Sequence, residues 1–280
     1  LTKKLPISVL VQTKNEERGI ADCLSGLSDF AEIIVVDSNS TDNTVGIVRE
    51  LGFAVENFDW DGRYPKKKQW QLDNLVTKYK WILFIDADET PTNELVSELW
   101  KRCDELESGR FSAYDIELDY VFAGKQLQYG HRVVKRALVQ RGEVSFPVIN
   151  DLNAPGMGEL EGHYQPVSKG DVAALKGRIR HDDKDPVHTW FERHNKYSEW
   201  EAYLRTHPSV KKDAAARRSV QGRLFDKVPL KPLVFFLYAY LIRGGFRDGR
   251  AGFDYAFALS SYYWQIGMKV RELERQNAVN

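Results

Sequence analysis

The chain has 280 residues, 42% of them hydrophobic and 29% charged, enough for one large domain or a domain with a substantial appendage. Forty basic and forty acidic side chains cancel, which excludes a global field that recruits nucleic acid, so an anionic partner has to be met locally. Cys23 and Cys103 lack metal spacing and read as thiols of a reducing compartment, no signal-like leader precedes Leu5, and the C-terminal apolar runs are too short to span a bilayer.

Ile7 to Thr13 reads as a buried strand that turns polar at its end. Asn15-Glu16-Glu17 then opens a helical pattern with Ile20, Leu24 and Leu27 on one face. A second apolar strand, Ile33 to Val36, stops at Asp37. The polar cluster Ser38 to Asn43 supplies turn and cap chemistry for a helix from Thr44 to Leu51, with Asp42 as a capping acid. Ala54 to Phe58 is a short third strand, and residues 66–78 form a helix. Trp81 to Ile85, five apolar residues rich in aromatic and branched types, predicts a strand buried on both faces. It ends at Asp86 and Asp88, and Pro91 suits the first turn of a following helix.

Strand and helix alternate throughout this stretch, which predicts an α/β fold with a mostly parallel central sheet flanked by helices. In such a sheet ligands bind at the carboxyl ends of the strands. Three polar strand ends meet on that rim: Thr13/Asn15/Glu16, Asp37 and Asp86/Asp88. Asp37 there suits a ribose hydroxyl or a base. Residues two apart on an extended backbone point the same way, so Asp86 and Asp88 converge. Their mutual repulsion calls for a hard divalent cation, which takes oxygen ligands and shares them with substrate phosphates. No G-x-G-x-x-G follows the first strand and no G-x-x-x-x-G-K-[ST] occurs, which disfavours an ordinary dinucleotide site and removes a P-loop.

The stretches VQTKNEE, IIVVDSNSTDNT and WILFIDADE, in this order, resemble the N-terminal motifs of family 2 glycosyltransferases with the GT-A fold. The likeness is greatest to the branch that builds lipopolysaccharide cores and exopolysaccharides. The resemblance implies a hexose donor linked to a nucleoside diphosphate, UDP above all, with base and ribose near Thr13, Asn15, Glu16 and Asp37. It implies Mg²⁺ or Mn²⁺ at Asp88 with Asp86, and a donor contact at Lys68. It further implies His181 near the metal, an inverting mechanism, a glycan or lipid-linked acceptor, and a cytoplasmic protein or one peripheral on the inner membrane.

Tyr114 to Phe122 and Val133 to Gln140 read as strands. Arg132, Lys135 or Arg136 could neutralise a diphosphate leaving group, since guanidinium and ammonium groups suit phosphate, with a strand's polar face as the alternative. Residues 142–170 form a long loop rich in glycine and proline, and loops of that length are usually functional. An inverting transfer needs a base there. Glu161 is the first candidate, with Glu159 and His163 behind it. Relatives carry V-H-E at this place, whereas Tyr164 follows His163 here.

A catalytic domain over residues 1–184 and a helical region over 185–280 follow from these patterns. Pro186 to Thr206 is helical, residues 207–222 are polar and basic, and Pro229 to Ile242 is intensely apolar. A last helix runs from Gly249 to Glu274. The apolar helix with basic and aromatic flanks, within residues 229–264, suits peripheral contact with a bilayer, or else packing on the sheet or on a second copy in a homodimer. The alternative function is a haloacid-dehalogenase-type phosphatase, because FIDADET also fits hydrophobic-D-x-D-x-T with Asp86 as nucleophile.

Overall fold

The structure, a computed structural model, describes residues 3–162, 164–207 and 228–279. The chain forms two compact units. The first comprises Leu1–Val121, Arg132–Pro147 and Gln165–Lys184, and the second Phe122–His131, Val148–Tyr164 and Asp185–Asn280. Two segments that precede residue 185 in the chain therefore belong with the C-terminal helices.

The strands in chain order are β1 (Leu5–Thr13), β2 (Phe30–Asp37), β3 (Ala54–Asn57), β4 (Trp81–Asp86), β5 (Glu89–Pro91), β6 (Ala113–Phe122), β7 (Lys125–Gln126), β8 (Val134–Gln140), β9 (Val144–Ser145), β10 (Val167–Ser168), β11 (Val172–Ala174) and β12 (Ile179–His181). Helices α1 (Ile20–Ser25), α2 (Thr44–Glu50), α3 (Lys67–Asn74), α4 (Asn93–Lys101) and α5 (Cys103–Ser108) belong to the first unit. Its main sheet has the order β3-β2-β1-β4-β8-β6-β12-β5. The first four strands are mutually parallel, β8 is inserted antiparallel between β4 and β6, and β12 runs parallel to β6.

Alternation along the central strands builds two cores, one on each face of the sheet. Val9 and Val11 of β1 and Leu83 and Ile85 of β4 join Ile20 and Leu24 of α1, Val48 of α2 and Leu95 and Leu99 of α4. Leu10, Ile82 and Phe84 point the other way, toward Leu72 of α3 and Val139 of β8. A polar strut crosses the second core. The Gln12 and Gln71 side-chain amides donate to each other, and Lys67 Nζ donates to Thr13 O at 3.0 Å. These bonds satisfy buried polar groups and tie α3 to the end of β1.

Two expected element ends move. Pro91 lies in β5 and does not open a helix; Thr92 caps α4 instead, its Oγ1 accepting from Leu95 N at 3.3 Å. An edge strand tolerates Pro, which cannot donate to a ladder. Helix α3 ends at Asn74, well short of residue 78, because Leu75 turns to extended backbone with its side chain in the second core.

The second unit contains β7, α6 (Val187–Thr206), α7 (Lys231–Leu237), a π-helical turn (Tyr238–Ile242), a 3₁₀ turn (Gly245–Asp248) and α8 (Gly249–Val279). The last helix outruns its expected end at Glu274, and the apolar stretch 229–242 divides into an α and a π segment. Much of the basic stretch 207–222, with Lys211, Lys212, Arg217 and Arg218, lies outside the described residues. Trp200 of α6 donates through Nε1 to the fully buried Asp151 at 3.0 Å, anchoring the 148–164 segment.

Asp248 organises a second junction. Its carboxylate accepts from Gln128 N at 3.0 Å and Tyr129 N at 2.9 Å while only 3% exposed. Asp248→Ala strips both amides of a charged acceptor and should cost about 3 kcal/mol, read as a lower urea midpoint with unchanged slope.

Candidate donor and metal site

The carboxyl ends of β1, β2 and β4 lie side by side. Thr13 pairs with Asp37 across β1/β2, and Gln12 pairs with Asp86 across β1/β4. The loops after β1 and β2 are stitched together by short polar residues. Thr13 Oγ1 donates to Asp37 Oδ1 at 2.8 Å, and Ser40 donates to both Asp37 oxygens through N and Oγ. Asn15, in a left-handed conformation at φ 59°, accepts from Thr41 N at 2.8 Å, while its own N–H donates to Ser40 Oγ. Glu16 N donates to Thr44 Oγ1 at 2.7 Å. Asp42 accepts from Thr44 N, and these bonds hold its carboxyl below the usual range against the effect of burial. Asn43 occupies the cap position of α2 without a side-chain cap bond, and Asp42, one residue earlier, accepts from the first helical amide at 3.0 Å. Asp37, 2% exposed, has an equally evident structural role at the turn.

The acidic end of β4 divides in two. Asp86 turns to a pair of lysines: Lys135 Nζ of β8 lies 2.7 Å from Oδ2, and Lys68 Nζ of α3 lies 3.5 Å from Oδ1. Lys135 also donates to both oxygens of Glu89 at 2.7 Å. Burial opposes the Asp86 charge, but Lys135 and then Lys68 hold its carboxyl far below the usual range. Burial likewise opposes the charge on Lys135, which Asp86 and Glu89 raise above an ordinary lysine. For Glu89, burial pushes the carboxyl up and Lys135 pulls against it.

Asp88 faces His181. The approach is set by β12, whose antiparallel pairing with β5 puts His181 opposite Glu89, while Asp182 N donates to Asp88 O at 2.8 Å. His181 Nδ1 lies 3.3 Å from Asp88 Oδ1 and 3.8 Å from Glu89 Oε1, and the Tyr120 ring packs on its imidazole at 4.5 Å. One ligand atom each from Asp88, Glu89 and His181 falls within 4.8 Å of the others. Two carboxylates and an imidazole make a donor set that fits a divalent cation. The buried Nδ1 receives no well-aligned hydrogen bond, as a ligand atom held for an ion would be. The sequence reading missed Glu89, and the pairing of β5 with β12 is what brings it in.

Burial alone would lower the His181 pKa, yet Asp88 and then Glu89 raise it to about 9 from an ordinary 6.5. In the ligand-free protein this charge adds stability that is complete below 6.5 and is lost as pH rises through about 9. With a chelator present, the urea midpoint should therefore fall between about pH 6 and about pH 10, and His181→Gln should flatten that fall.

The remaining expected residues sit as follows. Arg132 pairs with Asp119 at 2.6 Å, and Arg178 reaches the same carboxylate at 3.2 Å. Arg136 grips Asp115 with Nε and Nη2 and donates to Pro166 O, the strand-face role that was its alternative. Glu159 and Glu161 belong to the second unit, half-buried and buried respectively, and His163 lies outside the described residues. Gly162, at φ 63°, leaves no room for a side chain: a Cβ there would come within 2.9 Å of the Trp200 ring. That contact fixes the turn that carries Glu161. Both cysteines are free, Cys23 buried and Cys103 half-buried.

Residues 8–130 match the sequence profile described as Glycosyl transferase family 2. A lipopolysaccharide core biosynthesis glycosyltransferase of Rhizobium meliloti, LpsC, is 26% identical over 95% of this chain and 92% of its own length. An uncharacterized glycosyltransferase of Rickettsia typhi is 27% identical over 98% and 90%. Among solved structures, a Pyrobaculum calidifontis mannosyltransferase in complex with GDP-Man and Mn²⁺ shares 16% identity over 96% of this chain and 88% of its own, at a TM-score of 0.45. The β1, β2 and β4 ends all fall inside the matched segment. The phosphatase alternative loses its ground there, because FIDADET, residues 84–90, falls inside the segment that matches the transferase profile.

Proposed function

We propose that this chain, whose residues 8–130 match the Glycosyl transferase family 2 profile, moves a hexose from a nucleoside-diphosphate sugar, UDP-linked, to a hydroxyl of a glycan or lipid-linked acceptor in bacterial envelope polysaccharide synthesis, with inversion. The observation that carries the reading is the convergence of Asp88, Glu89 and His181 beside the lysine-bridged Asp86, at the mouth of the parallel strands. A lipid-linked acceptor would have the reaction run at the cytoplasmic face of the inner membrane.

Each side chain then has a task. Thr13, Asn15, Glu16 and Asp37 line the rim for the base and ribose, with the Asp37–Ser40 turn keeping the rim rigid. Asp88 and His181, joined by Glu89, hold Mg²⁺ or Mn²⁺, which would neutralise the departing diphosphate when bound. Asp86 acts through its lysines: it holds the Lys68 ammonium at 3.5 Å, as a cation for the phosphates, and keeps Lys135 between the acids. Arg132, shared with Asp119, is the outer cation for the donor. Glu161 is the proposed base that takes the acceptor hydroxyl proton, with Glu159 and His163 as the alternatives.

The reading is tested by calorimetric titration of UDP and GDP, with and without Mn²⁺, beside turnover of the matching sugar nucleotides. One nucleotide should bind only with the cation. Glu161→Gln should keep that binding and lose about 10²–10⁴-fold in turnover. Binding of neither nucleotide, with phosphatase turnover that depends on Asp86, would overturn the proposal.

A further inference from the structure

One face of the second unit has no protein partner among the described residues. Helix α7 and the π turn after it use their inner side on α8: Phe235 and Ala239 are buried with Ala256, and Phe236 and Tyr240 pack beside them. Ser260 Oγ donates to Pro232 O at 2.6 Å and pins the start of α7 to α8. The core requirement of this helix is met by that side alone. Its outer side is nevertheless apolar. Leu230, Leu233, Leu237 and Leu241 recur at the three- and four-residue spacing of one helical face, and all are exposed. The wider π turn carries the row on to Ile242, which is 76% exposed, and Phe246 follows at 51%. A contiguous apolar row of this length marks an interaction surface and not scattered surface residues.

The charges beside the row have one sign. Arg243, Arg247 and Arg250 are exposed, and Lys231 is half-buried at the other end. The acidic group among residues 228–250 is Asp248, which is buried on the Gln128 and Tyr129 amides and offers no charge to the outside. Arg250 pairs with Asp254 at 2.9 Å and Arg243 Nε donates to Gly130 O at 3.5 Å; among the described residues no carboxylate pairs with Arg243 or Arg247, which carry the positive rim. The Arg247 guanidinium lies over the half-exposed Tyr129 ring at 4.8 Å, an amphipathic pair suited to an interface between apolar and wet regions. No helix among the described residues is long and apolar enough to cross a membrane.

We propose that the outer face of residues 230–246, apolar along its length and rimmed by Arg243 and Arg247, seats this unit in the headgroup layer of an anionic phospholipid bilayer without spanning it. The leucine row enters the boundary of the acyl chains, and the guanidinium groups meet lipid phosphates. The charge pattern favours a bilayer over a second copy of this chain. A two-fold interface would bring the same patch together from both sides, opposing Arg243 and Arg247 to themselves. The inference stands on this face alone and does not depend on the transfer reaction.

The test is co-sedimentation of the full chain with phosphatidylcholine vesicles, with and without about one-third phosphatidylglycerol, across a salt series. Wild type should bind the anionic vesicles, release as salt rises, and ignore pure phosphatidylcholine; these arms need no variant. Arg243→Gln with Arg247→Gln should lower partitioning about 25-fold. Leu237→Asp with Ile242→Asp should abolish it, while Val76→Asp, at a 91% exposed site in the first unit, should leave it unchanged. Circular dichroism and urea midpoints equal to wild type confirm that each variant is folded. Equal binding to neutral vesicles, or none to anionic ones, overturns the proposal. So does a concentration-dependent dimer that Leu237→Asp dissolves in a protein that ignores vesicles.

Discussion

Asp88→Ala should lower sugar-transfer turnover by about three orders of magnitude, roughly 4 kcal/mol of lost transition-state stabilisation. The thermal midpoint should fall as well, because Asp88 is the main group that holds the His181 charge in the folded protein, so turnover is compared at a temperature where both proteins are folded. The size of the effect follows from where charge develops. In the proposed reaction the departing nucleoside diphosphate would gain negative charge at the mouth of β4, where Asp88, Glu89 and His181 can hold a cation. Of the three, Asp88 is the carboxylate not already engaged by a lysine: Lys135 holds both oxygens of Glu89 and one of Asp86. Removing it leaves a donor set of one neutralised carboxylate and one imidazole, too weak for a hard cation. Asp88→Asn keeps the shape and an oxygen but not the charge, so excess Mn²⁺ should restore part of the activity of that variant and little of Asp88→Ala. The measurement is initial rate against Mn²⁺ concentration for all three proteins. Full turnover of Asp88→Ala in a chelator would remove the cation from the mechanism.

The same cluster shows which parts of the molecule are readable in one dimension. Strands β1, β2 and β4 were legible because each is a long apolar run ended by polar residues, and the rim of Thr13, Asp37 and Asp86 follows once those runs are parallel neighbours. Strands β5 and β12 have three residues each, too few for any period to register. Their antiparallel pairing joins segments about 90 residues apart in sequence, and it alone puts Glu89 opposite His181. Pro91 misled for the same reason: beside Thr92 and a helical pattern it reads as a helix start, and the edge strand it occupies is visible only through its partner. The i, i+2 argument for Asp86 and Asp88 needs an extended backbone, and the strand ends at Asp86. A turn over Ala87 and Asp88 lets one carboxylate face the lysines and the other the histidine. Lys135, placed just before the buried run Ala137-Leu138-Val139, was the one local hint that an acid waited on the neighbouring strand.

Lys135→Met should destabilise the fold by about 3–5 kcal/mol, the largest stability loss expected of any single change at this site. Lys135 is the shared counter-ion of two carboxylates, 2.7 Å from Asp86 and 2.7 Å from Glu89, and its own side chain is only 15% exposed. Methionine fills nearly the same volume and supplies no charge, so the packing change is small and the electrostatic one is isolated. Glu89 is the acid that suffers most. It is 1% exposed and already pushed up by burial, and Lys135 is the cation in hydrogen-bond contact with both its oxygens. Without that cation Glu89 takes up a proton, while Asp86 retains Lys68 at 3.5 Å. Lys135→Met with Glu89→Gln should therefore recover at least half of the loss, whereas Lys135→Met with Asp86→Asn should recover less. A double-mutant cycle on urea midpoints measures the difference. If the two double variants are equally stable, the lysine serves Asp86 and Glu89 alike, and the asymmetry argued from burial is wrong. If Lys135→Met costs nothing, the acids are neutral in the folded protein, and the site would be without the carboxylate charge that a cation requires.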